Sequence, residues 1–152
     1  NDLFHRATQG LRQELEPFRL VTAIPNDMPL VRIDFELMEH VLINLLLNSS
    51  QHSQPGSVLR LEASHIRNHL IIRVSDSGPG FPPEAIPRLF DKFFRVEGSL
   101  AGGLGLGLSI VKGLVDAHKG TVAVLNPAGG GAQFTITIPS KLPDMNHLNL
   151  KE

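Results

Sequence analysis

The segment from Asp34 to about Ser53 restricts this chain more than any other stretch. Phe35, Met38, Leu42, Leu45, Leu46 and Ser49 recur at intervals of three and four, so on a helix they form one broad apolar face. Asp34 supplies an N-cap oxygen, and Gln54-Pro55-Gly56 ends the element. Such a face is stable only against a second layer. The chain provides one, because 18–24, 58–64, 69–75, 121–125 and 133–138 all carry strand formers bounded by turn residues. Arg67-Asn68 joins the second and third as an antiparallel hairpin, and Gly129-Gly130-Gly131 turns between the last two.

Two more helices are expected. Residues 2–14 carry Leu3, Ala7 and Leu11 at helical spacing before Pro17, and 105–118 carries Leu106, Ile110 and Leu114 before Lys119-Gly120. Helices and strands alternate without the regular βαβ repeat of a doubly wound sheet. The expected fold is α+β: a two-layer α/β sandwich with a mixed, mostly antiparallel sheet and about three helices on one face.

The 152 residues suit one domain, placed at 1–140, followed by a flexible tail at 141–152. A net charge of -1 offers no long-range attraction to nucleic acid, and zero cysteines exclude disulfides and thiolate chemistry. No apolar run reaches the roughly 20 residues that span a bilayer. The chain opens at Asn1 without an initiator methionine, so it reads as a piece of a longer protein.

Several residues along this frame carry chemistry. Asn44 and Asn48 lie one turn apart at the border of the apolar face, so their amides project together. They are either amides satisfied by nearby backbone or carboxamide oxygens offered to a hard cation such as Mg2+. Asp76-Ser77-Gly78-Pro79-Gly80 follows a strand directly. It is either an ordinary Asp-Gly turn or a carboxylate set beside bare backbone, where a flat ligand can approach and donate from an amino group. Gly102, Gly103, Gly105 and Gly107 crowd the start of the last helix, which suits either a flexible loop or converging amides around phosphates. There is no Gly-Lys-Ser/Thr phosphate loop and no GxGxxG after a strand. Between the glycine segments, Leu89-Phe90-Asp91-Lys92-Phe93-Phe94-Arg95 reads as an amphipathic helix packing its Phe face, with Lys92 or Arg95 able to reach a phosphate.

Taken in order, these segments resemble the histidine-kinase branch of the GHKL ATP-binding superfamily, whose architecture is the Bergerat fold. The resemblance spans roughly residues 18–139. It rests on Asn44-Leu45-Leu46-Leu47-Asn48, Asp76-Ser77-Gly78-Pro79-Gly80, Phe90-Asp91-Lys92-Phe93-Phe94 and Gly103-Leu104-Gly105-Leu106-Gly107. A finer similarity, to KdpD-type potassium sensors, rests on Met28-Pro29-Leu30-Val31 with Asp34, on 115–120 and on 129–134.

The resemblance implies ATP and Mg2+ as cofactors. It implies that Asn48 ligands Mg2+, that Asn44 supports the phosphates and that Asp76 accepts from the adenine amino group. Gly78 and Gly80 would let the purine approach, Arg95 would touch the γ-phosphate with Lys92 near it, and Gly103, Gly105, Leu106 and Gly107 would form the ATP lid. It also implies that the γ-phosphate goes to a histidine on a helical dimerisation domain outside this chain, and from there to a response regulator. The isolated piece is then a monomeric cytoplasmic domain of an inner-membrane sensor.

Three features bear on these expectations. Gln51 stands where many relatives carry a basic residue, and His52 stands where an aromatic often lies against the adenine. Ala132 replaces a Ser or Thr that often binds a water near the base, with a modest loss of affinity expected. Asn44 occupies the position where hydrolysing members of the superfamily, such as the MutL and gyrase families, use Glu to activate water. That favours transfer to an imidazole over hydrolysis. None of the seven histidines sits in the His-then-acidic setting of a phosphoacceptor, His5 in Phe4-His5-Arg6 included. A GHKL serine kinase of the anti-sigma type and a nucleotide sensor without transfer are the alternative readings.

Overall fold

A computed structural model describes residues 1–96 and 107–141. Helix α3 (Phe35–His52) begins where Asp34, in extended conformation, accepts from the Leu37 backbone N–H at 3.0 Å. Its apolar face puts Met38, Val41, Leu42, Leu45 and Leu46 out of reach of solvent. Two further helices pack on α3: α1 (Asp2–Gly10) through Phe4 and Ala7, and α4, described as Gly107–Ala117, through Val111 and Val115. Residues 11–15 do not extend α1. The chain kinks at Leu11 after Gly10, a poor helix former, and resumes as the single turn α2 (Arg12–Leu15).

The second layer is one five-stranded sheet of β1 (Arg19–Ala23), β2 (Val58–Ile66), β3 (His69–Asp76), β4 (Thr121–Leu125) and β5 (Gln133–Pro139). Its spatial order is β1-β2-β3-β5-β4, with β1 parallel to β2 and every other pairing antiparallel. The β2–β3 turn is held by Arg67 and Asn68, both at positive φ, the two-residue geometry that matches strand twist. Period-2 alternation sends Leu59, Leu61, Leu70, Ile72, Val74, Phe134, Ile136 and Ile138 into the core beneath the helices. The helices cover one face of this mixed sheet, as the sequence implies. Among the described residues no helix is long and apolar enough to cross a membrane.

One further local expectation needs correction. Residues 86–95 do not form an amphipathic helix: only a 3₁₀ turn at Ile86–Arg88 is regular, and Phe93 takes a φ of 65° with two-thirds of its surface exposed. The left-handed Phe93 breaks the winding, yet Phe90 and Phe94 still pack against the core. At the end of α4 the left-handed residue is Lys119, not Gly120. Gly120 is required for another reason, since a Cβ there would lie 2.6 Å from the Thr137 carbonyl oxygen. The tail from 142 and the segment 97–106, with Gly102, Gly103, Gly105 and Leu106, lie outside the described residues.

The N-cap of α3 sets where the central helix starts. Asp34→Ala should lower unfolding free energy by about 1 kcal/mol in urea titration, and Asp34→Asn should recover most of that loss.

Candidate functional site

Helix α3 works as a ruler along one cleft edge. Asn44, Asn48 and His52 follow at four-residue steps, so the span from Asn44 to His52 covers roughly 12 Å at the 1.5 Å rise of an α-helix. All three are half-buried, at the border between the packed face and solvent.

At one end, Asn44 Nδ2 donates to the His40 carbonyl at 2.9 Å, which turns the side-chain oxygen outward. That oxygen lies 3.2 Å from where a Cβ would stand on Gly107, the first described residue of α4. The carboxamide therefore faces the first described turn of α4. Asn48 lies one turn farther along, and Gln51, three residues on, is exposed.

At the other end, β3 delivers Asp76 against the last turns of α3. Asp76 Oδ1 accepts from the backbone N–H of Gly78 at 2.9 Å and of Ala132 at 3.3 Å, while the Asp76 N–H donates to the Ala132 carbonyl at 3.0 Å. The Ser49 hydroxyl is wholly buried near this carboxyl and favours its charged form, although no hydrogen bond of good geometry joins them. Burial dominates and holds the Asp76 carboxyl above its ordinary value of 3.8. The Gly78 and Ala132 N–H groups, then His52, then Ser49 oppose that rise. His52 is pushed down by burial, with Asp76 pulling the other way, so its imidazole is favoured neutral. Its ring meets Phe81 edge-on at 5.6 Å; Phe81 meets Phe134 at 6.0 Å, and Phe134 meets Phe90 at 6.3 Å.

Residues 33–142 match the family model described as histidine kinase-, DNA gyrase B-, and HSP90-like ATPase. The chain belongs to this ATPase family. A curated relative, the sensor protein KdpD of Clostridium acetobutylicum, is 31% identical over 144 residues, which cover 93% of this chain and 16% of that protein. The chain thus spans about a sixth of that relative's length. Among solved structures, the mycobacterial sensor histidine kinase MprB superposes with a TM-score of 0.83 at 27% identity, over 93% of this chain and 96% of that one. Full-length ShkA, solved in complex with AMPPNP, superposes with a TM-score of 0.80 at 27% identity, over 93% of this chain and 30% of that one.

Within this ATPase domain the structure sets Asn44, Asn48 and His52 along one edge of α3, with Gly107 beside Asn44 and with Asp76 and Gly78 beside His52. Lys92 and Arg95 are exposed on the Phe-rich segment, which Arg88 fastens by lying 4.6 Å over the Phe94 ring. Gly103, Gly105 and Leu106 lie outside the described residues. Both loop glycines are demanded by protein contacts: a Cβ on Gly78 would stand 2.7 Å from the His52 carbonyl, and one on Gly80 2.8 Å from Asn126 Oδ1 and from the Gly131 carbonyl. Ala132 serves the site through its backbone N–H and carbonyl, which any residue there would supply.

Ser49, Asn126 and Gly131 were not singled out by sequence reasoning. Ser49 sat inside the apolar pattern, Asn126 ends a strand with no motif around it, and Gly131 passed as one of three turn glycines.

Because the folded Asp76 lies above its unfolded value, its contribution to stability is complete below the unfolded value and is lost as pH rises through the folded one. Asp76→Asn keeps the backbone acceptor and removes the buried charge. Urea unfolding should find this variant at least as stable as wild type near neutral pH, with the gap closing as pH falls to about 4.

Proposed function

We propose that this chain is the Mg-ATP-binding catalytic domain of a two-component sensor histidine kinase. The observation that carries the reading is the two-ended cleft edge along α3, with the Asp76 carboxylate at one end and the Asn44 oxygen facing the start of α4 at the other. The α3 residues at the two ends, Asn44 and His52, lie roughly 12 Å apart along the helix axis, a length suited to a nucleotide extended from base to phosphates. Family membership and the AMPPNP complex of ShkA support the same assignment.

At the base end, Asp76 accepts from the adenine amino group and the His52 ring borders the purine. Gly78 and Gly80 keep that loop close to α3, so the base meets backbone instead of side chains. A nucleoside triphosphate pointing along α3 then passes Asn48 and reaches Asn44. The residues fit a bound Mg2+ through the donor set: two half-buried carboxamides on one face, with the Asn44 amide nitrogen already committed to backbone so that its oxygen faces outward. When bound, Mg2+ supplies charge neutralisation for the phosphates; Asn48 is the residue that would hold it.

Lys92 and Arg95 bring positive charge to the γ-phosphate, with Gln51 offering only a neutral amide from α3. Gly103, Gly105, Leu106 and Gly107 would form the ATP lid. No carboxylate stands at position 44 to take a proton from water, so the acceptor is a neutral imidazole, which needs no such base. That histidine belongs to a helical dimerisation domain of the same protein, and a response regulator receives the phosphate next. The isolated domain is monomeric, faces the cytoplasm beneath an inner-membrane sensor and does not bind nucleic acid.

The isolated chain should bind Mg-ATP and remain unlabelled with γ-labelled ATP, and should label a supplied phosphoacceptor domain with acid-labile phosphate. Acid-stable label would point to a serine kinase and overturn the reading. Asn48→Ala should weaken Mg-dependent ATP binding about tenfold by calorimetry, with little effect on binding measured without Mg2+.

A further inference from the structure

Asn126, exposed at the end of β4, spends both halves of its carboxamide on one residue. Its Oδ1 accepts from the Phe81 backbone N–H at 3.0 Å and its Nδ2 donates to the Phe81 carbonyl at 2.7 Å. Only a side chain that offers a donor and an acceptor in one plane makes both contacts at once, so Asp and Ser lack the full pattern. Phe81 closes the loop that begins at Asp76. The other end of that loop is tied to the same β4–β5 connection by the paired hydrogen bonds between Asp76 and Ala132. Gly80 and Gly131, at φ +76° and +81°, lie where these segments meet, and a Cβ on Gly131 would stand 1.9 Å from the Asp76 carbonyl. The Phe81 ring held by this clamp is the one that abuts His52.

We propose that Asn126 is a positioning residue for the base end of the nucleotide site, clamping the Asp76–Phe81 loop so that the Asp76 carboxylate is aimed at the purine amino group. The proposal rests on the reading of this cleft as an ATP site. Asn126 is exposed, so loss of its two hydrogen bonds falls mainly on the order of the loop and little on global stability. Its effect is confined to the base, because the phosphate end is built on Asn44, Asn48 and α4.

The experiment measures Mg-ATP, adenosine and Mg-GTP binding to the full chain and to Asn126→Ala, together with thermal melting. Wild type should prefer ATP over GTP. Asn126→Ala should lose about tenfold for ATP and the same factor for adenosine, while GTP binding changes little and the preference collapses. With a supplied phosphoacceptor domain, KM for ATP should rise by that factor and kcat should hold. Asn126→Asp keeps the shape and the acceptor but sets a carboxylate against the Phe81 carbonyl, so it should lose ATP affinity at least as strongly in a side chain of native size. Unchanged ATP binding in a folded variant overturns the proposal, as does an equal loss for ATP and GTP, the mark of a general structural defect. Failure of the wild-type chain to bind ATP would instead remove the nucleotide reading beneath it.

Discussion

Burial of one face of α3 is the contact on which the rest of the molecule depends. Met38, Val41, Leu42, Leu45 and Leu46 are fully buried against a sheet that presents Leu59, Leu61, Ile72, Val74, Phe134 and Ile136 from three strands. Each such side chain contributes on the order of 2 kcal/mol when removed from water, and among the described residues no other element places as many apolar side chains in the core. The same packing fixes the helix about its own axis. Once the apolar stripe points at the sheet, Asn44, Asn48 and His52 have no choice but the cleft edge. Core and site are two faces of one rotation angle.

The second constraint is the closure of the base end by backbone. Asp76 belongs to a central strand, and its carboxylate takes two backbone N–H groups, one from its own loop and one from Ala132, just before the neighbouring β5. A buried carboxylate without such partners would be neutralised or expelled. With them it stays in place, above its ordinary pKa yet oriented, at some cost to stability. Gly78, Gly80 and Gly131 permit this closeness, since each approaches a neighbouring backbone or amide more nearly than a Cβ allows.

The two ends of the cleft differ in kind. The Asp76 end is made of strand ends, aromatic contacts and backbone amides. The Asn44 end has carboxamides and the first described turn of α4, with exposed cations on the Phe-rich segment, where Arg88 over Phe94 and the docking of Phe90 hold the backbone. On the proposed reading, this division suits phosphoryl transfer, in which positioning and charge neutralisation carry most of the catalysis.

Much of this was legible in the sequence. The α3 periodicity, the Asp34 cap, the strand alternation and the Arg67-Asn68 turn are local signals, and each element formed within a few residues of expectation because its apolar pattern matched one secondary-structure period. Spacing along one helix likewise determined that Asn44, Asn48 and His52 would share an edge. Other features needed the fold. Residues 86–95 carry an amphipathic pattern, but a left-handed Phe93 breaks the winding and only a 3₁₀ turn is regular, with tertiary contacts to Phe134 holding the Phe rings in place. The need for Gly80, Gly120 and Gly131 comes from strands and loops distant in sequence. The Asn126 clamp joins residues 45 positions apart and leaves no trace in local pattern. Sequence alone determined which faces are apolar and which residues share a helix edge, because both follow from fixed backbone periods. Only the tertiary structure decided which backbone groups meet across the sheet, because those contacts depend on strand order and close approach.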